Sequence, residues 1–359
     1  MRKVLLALVV MSLLFVGNAP SFAQGTPTQT IAEIAAGNKD FSTLMAAIGA
    51  ADPAIAQALS NKDRQFTVFA PTNAAFDALL KALNMKAEDL LANKAMLNVV
   101  LAYHVIPGAF PAAAVSTLDG VVIGTSLADQ GATDAGFPKN ALAVSVKDGK
   151  VTINTSSGAS ANVTTADVVA VNGVIHVIDA VLVPADATTI AASMATMMEA
   201  TPDAMAAQPV SIAATVINSA SATTKEFTTL LAAVQAADPS IATTLSEAGP
   251  FTVFAPTDAA FAAAITALNT TPEALLTNTA LLNSVLAYHV VPGEFKAATV
   301  LAAIKNGSIK LATLNGAPLT IAFKDGSVTV NAAKVTATDV AASNGIIHVI
   351  DGVLLPPAQ

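Results

Sequence analysis

Three blocks of this chain occur twice, and the spacing of the copies limits what it can fold into. Phe66-Thr67-Val68-Phe69-Ala70-Pro71-Thr72-Asn73-Ala74-Ala75-Phe76 returns as Phe251-Thr252-Val253-Phe254-Ala255-Pro256-Thr257-Asp258-Ala259-Ala260-Phe261, 185 residues on. Leu101-Ala102-Tyr103-His104-Val105-Ile106-Pro107-Gly108 returns at the same offset as Leu286-Ala287-Tyr288-His289-Val290-Val291-Pro292-Gly293. Asn172-Gly173-Val174-Ile175-His176-Val177-Ile178-Asp179 returns as Asn344-Gly345-Ile346-Ile347-His348-Val349-Ile350-Asp351, now at offset 172. Copy one is therefore 13 residues longer between the last two blocks, eight of them in the Gly/Asp-rich stretch 125–140 and five in 156–161. Both stretches have loop compositions, where insertions are tolerated. A period this long makes each copy a whole domain and not a turn of a solenoid. The expected division is 27–184, a linker over 185–208 and 209–357.

Each copy reads as mixed α and β. Phe41, Leu44, Met45 and Ile48 lie on one face of a helix, and Phe227, Leu230, Leu231 and Val234 repeat it. Phe66 to Phe69 is a short β run. Thr72 then offers an N-cap to a helix whose apolar face is Phe76, Leu79, Leu80 and Leu83. A third helix is clearest in copy two, with Thr271 as cap, Pro272 in the first turn, then Leu275, Leu276, Leu282 and Leu286. The second half of each copy turns to strands. Asp148-Gly149 and Asp325-Gly326 accept the positive φ angles of a tight hairpin, and Asn172-Gly173 and Asn344-Gly345 signal a second one. The predicted fold class is α+β, with helices early and an antiparallel sheet late.

At the N-terminus, Arg2 and Lys3 precede an apolar run from Val4 to Val16, then the helix breakers Gly17, Asn18 and Pro20, then Ser21-Phe22-Ala23. This is the pattern of a secretory signal cut after Ala23. The run is short for a membrane span, so cleavage is favoured over an uncleaved anchor. The mature chain is then expected to be secreted or periplasmic. Much of the chain's 53% hydrophobic content is alanine. Without Arg2 and Lys3 the chain has 15 basic residues against 25 acidic ones. That balance argues against nucleic acid and against anionic lipid surfaces as partners. There is no cysteine, so no disulfide, thiolate metal site or cysteine nucleophile is available.

The repeated blocks resemble the fasciclin (FAS1) domain, twice, over nearly all of the chain beyond the N-terminal segment. The resemblance rests on Thr-Val-Phe-Ala-Pro-Thr-Asn/Asp-Ala-Ala-Phe, on Tyr-His-Val-x-Pro-Gly, and on Asn-Gly-x-Ile-His-Val-Ile-Asp leading into Val-Leu-x-Pro, in that order in both halves. It implies a two-sheet β-wedge with several α-helices packed at one side of each domain, in an exported protein. It also implies roles in cell adhesion, matrix assembly or polysaccharide association, and no common catalytic residue set.

All four histidines fall inside the repeated blocks, so they are two positions duplicated. His176 and Asp179, with their repeats His348 and Asp351, suggest a catalytic pair. Residues three apart on a strand point to opposite faces, however, and a structural histidine bonded to nearby backbone is the favoured reading. Tyr103-His104 and Tyr288-His289 contain the only two tyrosines. The resemblance implies that such a pair, flanked by aliphatic residues, binds integrin-type receptors, which makes the four residues a candidate adhesion motif. The alternative is that they pack under the Pro-Gly turn and orient it. Two histidines per domain are too few for a zinc site. Gly-x-Ser-x-Gly, phosphate-binding and dinucleotide-binding loops are absent. Met194, Met197 and Met198 share a helical face in the linker with Met205 nearby, a packing face more than a copper site. Asn154, Asn162, Asn269 and Asn306 begin glycosylation sequons.

The sequence thus points to a non-enzymatic, cofactor-free adhesion protein that binds a cell-surface or matrix protein or a polysaccharide. The competing reading is a self-associating structural component of an envelope or biofilm matrix.

Overall fold

The run Phe66-Thr67-Val68-Phe69-Ala70-Pro71 forms strand β1, and all six residues are buried. A strand covered on both faces is continuously apolar where a half-exposed one alternates. In a computed structural model, which describes residues 27–357 apart from 129–130, 132–136, 188–209, 222–225, 247–248, 268–270, 272–275, 305–306 and 325, the two faces have different covers. Phe66, Val68 and Ala70 pack into a core with the helices. Phe69 packs into a second core against the other strands. The N-terminal segment 1–23, most of the linker with its four methionines, and Pro272, Leu275 and Asp325 lie outside the described residues.

Copy one begins with helices α1 (Ile31–Gly37), α2 (Ser42–Ala50) and α3 (Pro53–Ser60), then β1 (Phe66–Pro71), α4 (Asn73–Leu83), α5 (Ala87–Ala92) and α6 (Lys94–Tyr103). It continues with β2 (Val105–Pro107), α7 (Ala112–Val115), β3 (Val122–Gly124), β4 (Ala141–Lys147), β5 (Lys150–Thr155), β6 (Ser160–Ala170) and β7 (Gly173–Ile178). Copy two supplies the matching strands β8 (Phe251–Pro256), β9 (Val290–Pro292), β10 (Ser308–Ala312), β11 (Pro318–Lys324), β12 (Ser327–Val330), β13 (Ala333–Ala342) and β14 (Gly345–Ile350). Thr72 caps α4 as expected, accepting from the Ala75 amide. Asp148 and Gly149 stand at φ +51 and +73 between β4 and β5, the turn the Asp-Gly pair predicts.

The late strands β3 to β7 pair antiparallel as expected. The sheet as a whole is not purely so, because the early strand β1 runs parallel to β7 with Phe66 opposite Gly173. The helices between β1 and the late strands carry the chain over, and that long connection permits parallel pairing. The third helix is also not one helix. In copy one α5 ends and α6 starts anew at Asn93, whose side chain accepts from the Met96 amide. In copy two the helix Thr279–Tyr288 starts at Asn278, which accepts from Leu281. An asparagine that caps a new helix competes with continuation of the old one.

Each domain is a wedge because β6 and β13 belong to two layers. The start of β6 pairs with β5 (Asn162 opposite Thr152), and its remainder pairs with β7 through register shifts around Thr165. β13 repeats this with β12 and β14. Phe69, Ile106, Leu142, Val144, Ile153 and Ile178 fill the space between the layers, and α1 to α6 cover the outer face.

The two domains join edge to edge. The strand order is β2-β1-β7-β6-β5-β4-β3-β10-β11-β12-β13-β14-β8-β9, and the second half is the reverse of the first in equivalent strands. β3 and β10 are equivalent and run parallel, Val122 opposite Leu311. A reversed order about a parallel pair of equivalent strands places a pseudo-two-fold axis along them. The cores cross the junction: Ala312 lies in the inter-sheet core of domain one, and Val122 and Ala141 in that of domain two. Asn140 donates to the Glu294 carbonyl at 2.8 Å.

Candidate functional site

Tyr103 ends α6 and His104 caps it. The Leu97, Val100 and Leu101 side chains of the same helix face the helical core, so the helix end is drawn under the sheet and both polar rings go inside with it. Tyr103, His104, Tyr288 and His289 are 0%, 2%, 2% and 3% exposed. None of the four presents an anchor at the surface.

Burial demands that their polar atoms be satisfied, and they are. The Leu182 amide donates to His104 Nε2 at 2.9 Å. That nitrogen is therefore an acceptor, so Nδ1 carries the proton and donates to the Val100 carbonyl at 2.7 Å. His289 repeats the pattern with the Leu354 amide at 3.0 Å and the Val285 carbonyl at 2.7 Å. Burial pulls both rings down to a pKa of about 4, against the opposing effect of the carbonyl bonds. Both are neutral near pH 7. The Tyr103 hydroxyl donates to the Ala141 carbonyl at 2.6 Å and accepts from the Ser156 amide at 3.0 Å. Burial pushes it up to about 12. Tyr288 bonds the Pro318 carbonyl and accepts from Asn331.

His176 and His348 use the opposite tautomer. The Asp167 amide donates to His176 Nδ1 at 3.3 Å, so Nε2 carries the proton and donates to the Phe110 carbonyl at 2.8 Å. His348 does the same with Asp339 and Phe295. Burial lowers both pKa values, partly offset by those carbonyl bonds and by the nearby Asp167 and Asp339 charges. Each ring lies 5.7 Å from a phenylalanine of the first repeated block, Phe69 or Phe254. Asp179 has other partners: its carboxylate accepts from the amide and the side chain of Asn162. Asp351 accepts from the Lys334 amide. The histidine and aspartate of this block are thus not brought together.

Sequence reasoning missed Asp167 and Asp339. Both stand at φ +59, at the irregular part of β6 and β13. Each backbone amide meets a histidine, and each carboxylate accepts the first amide of a helix, from Ala112 at 2.7 Å or Ala297 at 2.9 Å. The available signal was the recurrence of Thr-x-x-Asp-Val at offset 172 in a run otherwise rich in threonine, valine and alanine. Aspartate tolerates positive φ better than its β-branched neighbours.

Chemically, the arrangement joins distant backbone segments through bonded side chains. Its proton-bearing rings are occupied on both nitrogens and shut from solvent. Among the described residues no three histidine or acidic side chains stand together as metal ligands. Such a pair of wedge domains, each braced by buried tyrosine and histidine side chains and set edge to edge, defines a tandem two-domain scaffold.

Residues 39–184 and 225–356 match the Fasciclin domain, and the chain belongs to the fasciclin-domain family. A protein of Synechocystis sp. is 50% identical over 143 residues, which is 39% of this chain and 73% of that one. The cell surface glycolipoprotein MPB83 of Mycobacterium bovis is 38% identical over 111 residues, 31% of this chain and 46% of that one. Among solved structures, a FAS1 domain pair from the insect cell adhesion molecule Fasciclin I covers 90% of this chain and 98% of its own, at 17% identity and a TM-score of 0.35. In the described residues no helix is long and apolar enough to cross a membrane.

Proposed function

We propose that this chain is an exported, non-enzymatic adhesion protein that binds a matrix protein, a cell-surface protein or a polysaccharide through two fixed copies of one surface. The pseudo-two-fold junction carries this reading. Because β3 and β10 lock the domains together, equivalent strands of the two copies sit at a set spacing and orientation, and a repetitive ligand meets both. Weak contacts made twice from a rigid frame gain avidity without new chemistry. The repeated exposed stretches are the later halves of β6 and β13, where Thr165, Ala166, Val169, Ala337, Thr338 and Val340 face solvent. The cell-surface description of the mycobacterial relative and the adhesion description of the insect one fit such a role. Cleavage after Ala23 and domain limits near 27–184 and 209–357 belong to the same proposal.

The test uses the whole chain, since its cores cross the junction. The chain is screened against immobilised glycans and matrix proteins. Thr165→Lys and Ala337→Lys are then measured singly and together on any ligand found. Each single change should weaken binding by about tenfold or more, and the pair should abolish it. Binding unaffected by both would refute use of this surface. The self-association reading rests on the large apolar content. It predicts a concentration-dependent rise in scattering mass.

A further inference from the structure

We infer that domain two, and not domain one, holds a binding cavity for the alkyl chain of a small amphiphile, between its first helix and the sheet. The cavity is independent of the adhesive surface. In domain two a space of about 170 Å³ opens under the helix Ile212–Ser221. The equivalent space in domain one, under α1, is about 20 Å³. The two helices are held alike: Asn172 accepts from the Ile31 amide, and Asn344 from the Ile212 amide, both at 2.8 Å. That common anchor aligns the two first helices residue by residue, so Ala35 corresponds to Val216.

Two exchanges and one displaced ring account for the difference. Ala35, buried against the core in domain one, is replaced by Val216, also buried. The extra bulk on the inner face stands the helix off the layer beneath. Ile48 on that layer is replaced by Val234, which removes a methylene from the opposite wall. Phe41, 2% exposed in domain one, corresponds to Phe227, which is only half-buried and sits at φ +67. One wall moves out while its filling shrinks, and close-packed interiors do not absorb such changes by flowing.

The lining sets the ligand class. Ile212, Val216, Leu231, Val234 and Leu286 are apolar, and the two nitrogens of His289 are already bonded, so that ring offers only carbon. A space of this size and apolar lining takes an apolar guest of about six carbons. The space is open at the rim, where Ile217 is 47% exposed and Gln235 and Ser246 are the polar neighbours. Among the described residues no charged side chain lines it. An uncharged head at the rim, with the chain end inside, fits that distribution. Domain one has Ala36 where domain two has Ile217.

The experiment titrates 1-octanol into the full chain by calorimetry, with methyl NMR to place the guest. We expect one saturable site per chain, with shifts concentrated on Ile212, Ile217 and Leu231. Val234→Phe should weaken binding by about tenfold or more by filling the space, which is at least one 1.4 kcal/mol step. Val234→Ile restores the domain-one residue and should weaken binding by about threefold. If Val234→Phe fails to fold, the isoleucine variant decides alone. Co-sedimentation with phosphatidylcholine vesicles separates sources: binding of octanol alone assigns a free amphiphile, and vesicle association lost in the Val234 variants assigns a lipid chain. No saturable binding, two equal sites per chain, or affinity unchanged in both folded variants overturns the inference.

Discussion

The imidazole of His104, at the end of the helix that closes the first half of the domain, accepts the backbone proton of Leu182 at the end of the second half, at 2.9 Å. His289 and Leu354 repeat the contact. The bond ties the Tyr-His-Val-x-Pro-Gly block to the Val-Leu-x-Pro block across 78 residues in domain one and 65 in domain two. It explains why a histidine stands in the most recognisable part of the sequence and yet offers no reactive nitrogen.

Acid should unfold this protein through its histidines. A ring with its pKa near 4 in the fold and near 6.5 in the open chain binds a proton only when unfolded over that interval. Stability is full above pH 6.5, falls as the pH drops, and stops falling from this cause below about pH 4. His104 and His289 should each contribute roughly 3 kcal/mol to the loss. His176 and His348 act in the same direction. Urea midpoints measured between pH 7.5 and 4 check this, and His104→Gln should flatten part of the slope.

The tautomers should be visible directly. Long-range nitrogen–proton correlations at pH 7 should show protonated Nδ1 on His104 and His289 and protonated Nε2 on His176 and His348. One shared tautomer for all four would contradict the bonding pattern.

Gly124 and Gly293 meet at the junction. A Cβ added at Gly124 would collide with the Pro292 carbonyl and stand 2.7 Å from Gly293 Cα. Gly293 is itself at φ +91. Gly124→Ala should cost about 1–3 kcal/mol and loosen the pairing of β3 with β10. Calorimetry should show one transition for the natural chain and two for the variant.

Asp167→Ala removes the carboxylate that holds the Ala112 amide and places alanine at φ +59. The loss should be about 2 kcal/mol, from one cap and one left-handed residue. Asp339→Ala should match it in domain two. Asp167→Asn should lose less, since asparagine accepts the same bond and tolerates the same φ. Chemical denaturation of the three variants checks the order.

Tyr103→Phe leaves the Ala141 carbonyl and Ser156 amide without their partner in a place closed to water. The cost should be about 1–3 kcal/mol, read as a shift in urea midpoint with unchanged slope. The exposed change Thr165→Lys should leave that midpoint nearly unmoved.

Much of this was legible along the chain because it depends on neighbours in sequence. The copy number, the Thr72 cap, the Asp148-Gly149 turn and the apolar face of Leu44 and Ile48 follow from local torsions and periodicity, which any short segment expresses by itself. Other features depended on residues far apart. The parallel β1–β7 pair, the bulge at Asp167 that meets His176, and the burial of Tyr103 exist only once the layers have closed. Their energies come from contacts between segments that carry no mark of one another in sequence. The pairing of β3 with β10 is the extreme case: nothing about Val122 or Leu311 alone announces it. It forms because two equivalent edges with unused backbone donors and acceptors are brought side by side, and joining them satisfies both.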